Sequence, residues 1–154
     1  MNAQPIVVGV DNTPAGLRAL RWAMDEATLR GCPLHVVNVW QFEPLADWTM
    51  TSEQEARSRS EAVVENALRT AATGRRDFPQ IVRDCARGSA AEVLEDRARG
   101  AALLVLAAHN GSKLRRRVLG STSAHCVLHS TAPVVVIPAE VPSSAEPAAE
   151  EARS

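Results

Sequence analysis

No stretch of this sequence approaches the roughly 20 consecutive apolar residues needed to cross a bilayer. The first ten residues, MNAQPIVVGV, carry no basic flank and too short an apolar run for a secretory signal. Cysteine is scarce. Cys32, Cys85 and Cys126 are odd in number, far apart and free of Cys-x-x-Cys spacing, so no disulfide framework is expected. They read as small buried hydrophobes in a reducing compartment. The net charge of -1 gives no basis for bulk nucleic-acid binding. Together these absences predict a cytoplasmic protein with no membrane or nucleic-acid partner.

Catalytic signatures are missing as well. There is no Gly-x-Ser-x-Gly elbow, no Gly-x-x-x-x-Gly-Lys-Ser/Thr loop and no Gly-x-Gly-x-x-Gly fingerprint. No Cys/His pair can be assigned as nucleophile and base from spacing, so no catalytic residue is assigned and no enzyme is expected. His125 and His129 share a helix face with Cys126 nearby. The Glu of a His-Glu-x-x-His site is absent and no acidic third ligand is close in sequence, so no metal site is expected.

What is present is an alternation. With 154 residues the chain suits one domain, able to bury about two thirds of its unfolded surface without staples. Residues 5–10 read as a first strand. Thr13 is an N-cap and Pro14 a first helical residue, and Leu17, Leu20, Ala23, Met24 and Ala27 recur at helical spacing up to Gly31. A second strand spans 34–39, with His35 and Asn38 as polar exceptions. The segment 41–50 is a loop rich in large apolar groups, among them Phe42, Leu45, Trp48 and Met50. It reads either as packing over the sheet edge or as a lid or subunit contact. Two capping-box registers, Thr51 to Gln54 and Ser52 to Glu55, open a second helix that Gly74 ends. Residues 80–86 form a strand suited to a sheet edge by Arg83 and Asp84. Ser89 and Glu92 make another capping box for a helix ending at Gly100.

Residues 103–108 are an apolar run suited to a strand buried on both faces. A polar loop follows, with Asn110, Gly111, Ser112 and the bases Lys113, Arg115, Arg116 and Arg117, read as solvated or as neutralising phosphates. Gly120, Ser121, Thr122 and Ser123 then begin a helix whose unpaired N–H groups favour an anion. A final strand spans 134–137. The result is a three-layer α/β/α class with five parallel strands and four helices in one domain, 1–138. The tail 139–154, rich in Ala, Pro and Glu, is expected to be disordered and acidic, with Arg153 alone against four glutamates.

The stretch 103–138 resembles the universal stress protein family. That family's signature is Gly, two residues, Gly, nine residues, Gly, then Ser or Thr. Gly120 and Ser121 match its end. Ala107 stands at the first Gly and Asn110 at the second, with Gly111 a displaced alternative. Ala107 adds a methyl where backbone and ligand would touch, whereas Asn110 tolerates the left-handed region. The resemblance implies the sheet order 3-2-1-4-5, an adenine nucleotide alpha hydrolase-like fold, and a crevice between strands one and four.

In that crevice the resemblance places Val10, Asp11 and Asn12 on one wall and Val39 beside the adenine. Ala107, Asn110, Gly111, Gly120, Ser121, Thr122 and Ser123 would stand around the phosphates. Asp11 reads equally as a ribose neighbour and as a cap on the first turn. The implied cofactor is ATP, with Mg accompanying the nucleotide, and the implied role is a stress-response module. The last strand, Val134 to Ile137, would pair across a two-fold axis in a homodimer. The alternatives are the same fold without a nucleotide, acting as an interaction module, and a slow nucleotide hydrolase.

Overall fold

Short β-branched runs and longer amphipathic segments alternate along the chain, and each becomes one element. The computed structural model describes residues 3–42, 52–110 and 117–138. Its elements are β1 (Ile6–Gly9), α1 (Pro14–Arg30), β2 (Leu34–Trp40), α2 (Glu53–Ala72), β3 (Ile81–Arg87), α3 (Ala90–Arg97) and β4 (Leu103–Ala107). Then follow β5 (His109–Asn110), β6 (Arg117–Val118), α4 (Ser121–His129) and β7 (Val134–Ile137). Five strands form one parallel sheet in the order β3-β2-β1-β4-β7. Counted within that sheet, this is the order 3-2-1-4-5.

Local chemistry sets the helix ends. The Thr13 side chain accepts from Gly16 N, Pro14 occupies the first turn, and Gly31 closes α1 at φ 66°. For α2 the second of the two registers forms: Ser52 and Glu55 make a reciprocal capping box. At α3 the expectation fails in part. Ser89 is the N-cap, but its side chain makes no cap bond, so the Ser89–Glu92 box is not closed.

The polar loop after β4 also differs from the reading. Its ends pair antiparallel, His109 with Val118 and Asn110 with Arg117. Strands of two residues leave no periodic signal to read. The segment 43–51, the residues Gly111, Lys113, Arg115 and Arg116, and the tail lie outside the described residues.

Strand alternation divides the core in two. Ile6, Val8, Leu34, Val36, Leu103 and Val105 face one side, against Leu20, Ala23 and Met24 of α1 and Val64 and Leu68 of α2. Val7, Val37, Leu104 and Leu106 face the other, against Leu94 of α3 and Cys126 of α4. Each such buried Val, Leu or Ile contributes about 1.5–3 kcal/mol. The central strands β1 and β4 are therefore apolar on both faces. The edge strand β3 carries Arg83, paired with Glu65, and Asp84, 2.6 Å from Arg97. Cys32 and Cys126 are buried, Cys85 is half-buried, and all three are free thiols. No described helix is long and apolar enough to cross a membrane.

Candidate functional site

The chain winds outward from β1 through β2 to β3, then returns past β1 to β4. Where winding reverses, the loops after β1 and β4 part, and an open sheet leaves a crevice at its carboxyl edge. A cavity of about 260 Å³ lies there. It is lined by Val10, Asp11, Val39, Ala107, Gly120, Ser121, Thr122 and Ser123, so eight of the residues picked out in the sequence meet. Asn12 is exposed and is not among the lining residues. Asn110 is described by its backbone in β5 alone, and Gly111 lies outside the described residues. Gly9, Gly16, Val37, Asn38, Ala90, Leu94 and Leu106 complete the lining.

Asp11 caps the first turn and also lines the crevice. Its Oδ1 accepts from Thr13 N at 3.1 Å and from the Thr13 hydroxyl, while the residue lines the crevice. This Asx-type turn, with Thr13 Oγ1 accepting from Gly16 N at 3.1 Å, ties the crevice wall to the first turn of α1. Gly16 lies close beneath. A Cβ there would stand 3.1 Å from Asp11 N and 3.3 Å from Asp11 O, and would overlap Asp11 Oδ1.

The register of β2 determines what Val39 offers. Odd residues of β2 turn their backbone groups toward β1, as Val37 O does in accepting from Val10 N at 2.8 Å. Even residues turn toward β3, as Trp40 O does in accepting from Gly88 N at 3.0 Å. Val39 is odd, and β1 has ended by its level. Its N–H and C=O therefore face the crevice side by side, one donor and one acceptor.

Two helix N-termini converge on the same space. Gly120 caps α4 with no side chain, Ser89 makes no cap bond to α3, and residues 120–123 and Ala90 line the cavity. First-turn N–H groups and the positive helix ends favour an anion there. The Ser123 hydroxyl is spent otherwise: it is buried and donates to Ala107 O at 3.4 Å. Ala107 itself packs in the core cluster around α1, so its methyl is taken up by the core while the residue still lines the cavity.

Behind the crevice, α3 and α4 are joined by His125 Nε2 and Glu95 Oε2 at 2.7 Å, with the His129 ring centroid 4.5 Å from that of His125. This partner carries no signal in the sequence, since Glu95 comes from another helix. Among the described residues no group of three His, Cys, Asp or Glu side chains is placed to hold a metal ion. Burial pushes the Cys126 thiol up, Glu95 adding to it, which disfavours the reactive thiolate. The His125 hydrogen bond holds the Glu95 carboxyl below its ordinary value of 4.5, against desolvation, with His129 and Arg99 assisting. A lowered folded-state pKa means stabilisation that is present above 4.5 and lost as pH falls through the folded value. Glu95→Gln should therefore flatten the acid limb of a plot of Tm against pH below about 4.5, measured by circular dichroism.

Of the lining residues missed in the sequence, Asn38 had a signal, a polar break in an apolar strand. Gly16 had one too, a poor helix former in the first turn of a helix. Ala90 and Leu94 had none, because only the packing of α3 brings them to the crevice.

Residues 2–138 match the model of the Universal stress protein family. The chain is 29% identical over 141 residues to Universal stress protein Rv2623 of Mycobacterium tuberculosis, covering 86% of this chain and 46% of that protein. It is 31% identical over 160 residues to Universal stress protein Rv1996 of the same organism, covering 88% and 48%. The chain thus spans about half the length of the curated relatives it matches. Among solved structures it resembles universal stress protein UspA from Lactobacillus plantarum, with TM-score 0.72, 22% identity and coverage of 89% of this chain and 99% of that one. It also resembles a universal stress protein in complex with cAMP, with TM-score 0.67, 22% identity and 90% and 98% coverage. A third is the universal stress protein from Archaeoglobus fulgidus in complex with dAMP, with TM-score 0.63, 23% identity and 89% and 99% coverage.

Proposed function

The chain belongs to the universal stress protein family, and we propose that its crevice binds an adenine nucleotide, ATP being the fullest occupant, as a signal rather than as a substrate. The observation that carries this is the meeting of Asp11 and Val39 with residues 120–123 around one cavity at the carboxyl ends of β1 and β4. The donor–acceptor pair of Val39 complements the adenine edge, whose ring nitrogen accepts and whose amino group donates. Asp11 stands where a ribose hydroxyl could donate to it. The uncapped first turn of α4 suits phosphate oxygens. The cavity is just below the roughly 300 Å³ at which ligand pockets begin, so it suits the base and sugar while outer phosphates extend into solvent. Mg would accompany those phosphates with the nucleotide. Two similar structures are titled as complexes with cAMP and dAMP, both adenine nucleotides, which supports the class of ligand.

The same reading extends to assembly. The apolar strand β7 lies at the sheet edge with all four residues half-buried, so pairing with a second copy across a two-fold axis would cover it.

Isothermal calorimetry with ATP, AMP, cAMP and GTP tests the function. The expected result is saturable binding of the adenine nucleotides, weaker binding of GTP, and phosphate release at background. Silence with all four overturns the proposal and leaves the interaction-module alternative. Steady turnover of ATP would make the protein a hydrolase instead.

A further inference from the structure

Even residues of β2 belong to the apolar layer under α1 and α2: Leu34 and Val36 are fully buried in it. The next even residue is Asn38, a primary amide where the pattern calls for another aliphatic group. Asn38 is half-buried, and withdrawing an amide from water is costly unless its donors and acceptors are met. Here both ends are used. Asn38 Nδ2 donates to Val10 O at 2.8 Å, and Asn38 Oδ1 accepts from Ser60 Oγ at 2.7 Å. Ser60 is itself 3% exposed on α2, one of two buried polar residues among those described.

The position of this contact gives it a role. Val10 N still bonds to Val37 O, but Val10 is the last residue held by the sheet before the chain turns to Asp11. Its carbonyl lies at the end of the ladder, and the Asn38 side-chain amide supplies its donor. The next fixed points are Thr13 N and the Thr13 hydroxyl on Asp11 Oδ1. The wall of the crevice thus hangs between two anchors. One is the Thr13 cap on α1; the other is the Ser60–Asn38 pair on α2 and β2.

We propose that Asn38, oriented by Ser60, is a positioning residue for the nucleotide site: it fixes the Val10 carbonyl and so presents Asp11 to the ligand. The proposal rests on the nucleotide reading for its ligand and on the hydrogen bonds alone for its geometry. Asn38 acts through Val10 and Asp11 and needs no contact with the nucleotide. It also makes α2 part of the site without lining it, since Ser60 decides which way the amide faces. An amide free to turn by half a rotation would set its oxygen against the Val10 oxygen.

The full chain tests this with Asn38→Asp and Ser60→Ala. The aspartate keeps the shape and the acceptor for Ser60 but, ionised, places a second oxygen against Val10 O. Two readouts are needed. In the ligand-free protein, amide exchange at residues 11–13 should rise roughly tenfold in Asn38→Asp, with β4 and α4 unchanged, and by less in Ser60→Ala. In calorimetry, ATP affinity should fall at least about tenfold in Asn38→Asp, more than in Ser60→Ala. Exchange that rises uniformly across the sheet, or affinity that holds while exchange changes, overturns the positioning role. If wild-type protein binds no nucleotide, the functional reading fails, while exchange at residues 11–13 still decides whether the anchor exists. If Asn38→Asp does not fold, Ser60→Ala carries both readouts.

Discussion

Gly16→Ala is expected to lose nucleotide binding by more than about tenfold, a change of about 1.4 kcal/mol, while the protein remains folded. Gly16 is the third residue of α1, and its N–H is the group that the Thr13 hydroxyl caps. A methyl at this position would enter the space held by Asp11 Oδ1 and press on Asp11 N and O at 3.1 and 3.3 Å. The carboxylate is not a free chain end that can swing aside, because Thr13 N and the Thr13 hydroxyl hold the same oxygen. Relief must come from moving the Asp11 turn, and that turn is a wall of the crevice.

Two energies oppose each other in stability. Alanine is up to about 1 kcal/mol better than glycine inside a helix, and overpacking costs about 1–3 kcal/mol. The net loss for Ala should be modest, whereas Gly16→Val, branched at Cβ, should lose the propensity gain and fall by about 3 kcal/mol. Thermal melts and ATP calorimetry on both variants check this. Unchanged ATP affinity in Gly16→Ala would show that the Asp11 turn does not shape the ligand site.

The contrast between Gly16 and Asp11 shows what the sequence could carry. Asp11 was legible as a crevice-lining residue because it follows an apolar strand at the carboxyl edge of an open α/β sheet, where ligands bind in such folds. That Gly16 limits its orientation was not, because the contact joins two residues five apart through a turn whose geometry only the fold defines. The central strands and the ends of α1 were legible for a similar reason. Runs such as Ile6–Gly9 and Leu103–Ala107 are apolar throughout, and Thr13, Pro14 and Gly31 each have one strongly preferred place in a helix. Capping was less legible. Ser52 and Ser89 carry the same local pattern, yet only Ser52 closes its box. The hydroxyl of Ser89 follows Gly88 at φ 145°, an entry angle that no pattern of side chains encodes. Of the Ser60–Asn38 contact only Asn38 was visible, as a polar residue in an apolar strand. The pairing across 22 residues is a property of packing.

The first turn of α4 invites a substitution that should separate stability from binding. Gly120 caps the helix at φ -63° and ψ 164°, ordinary extended backbone, so glycine is not needed there for its conformational freedom. What it contributes is the absence of a side chain. Aspartate is a preferred N-cap, better than glycine by only a few tenths of a kcal/mol, because its carboxylate accepts from the N–H groups two and three residues on. Those are the N–H groups of Thr122 and Ser123, the same donors that a phosphate would use. Gly120→Asp therefore places an anion of the protein where the proposed nucleotide would put its phosphate. Tm should stay level or rise slightly, while affinity for ATP and AMP should fall by about a hundredfold, roughly 2.7 kcal/mol, from lost donors and like-charge repulsion together. Gly120→Ala separates these two causes. It leaves the donors free and adds no charge, so it should keep most of the affinity despite a poorer cap. Should Gly120→Asp bind nucleotide as well as the natural protein, the phosphates are held elsewhere, and the α4 N-terminus is an ordinary turn.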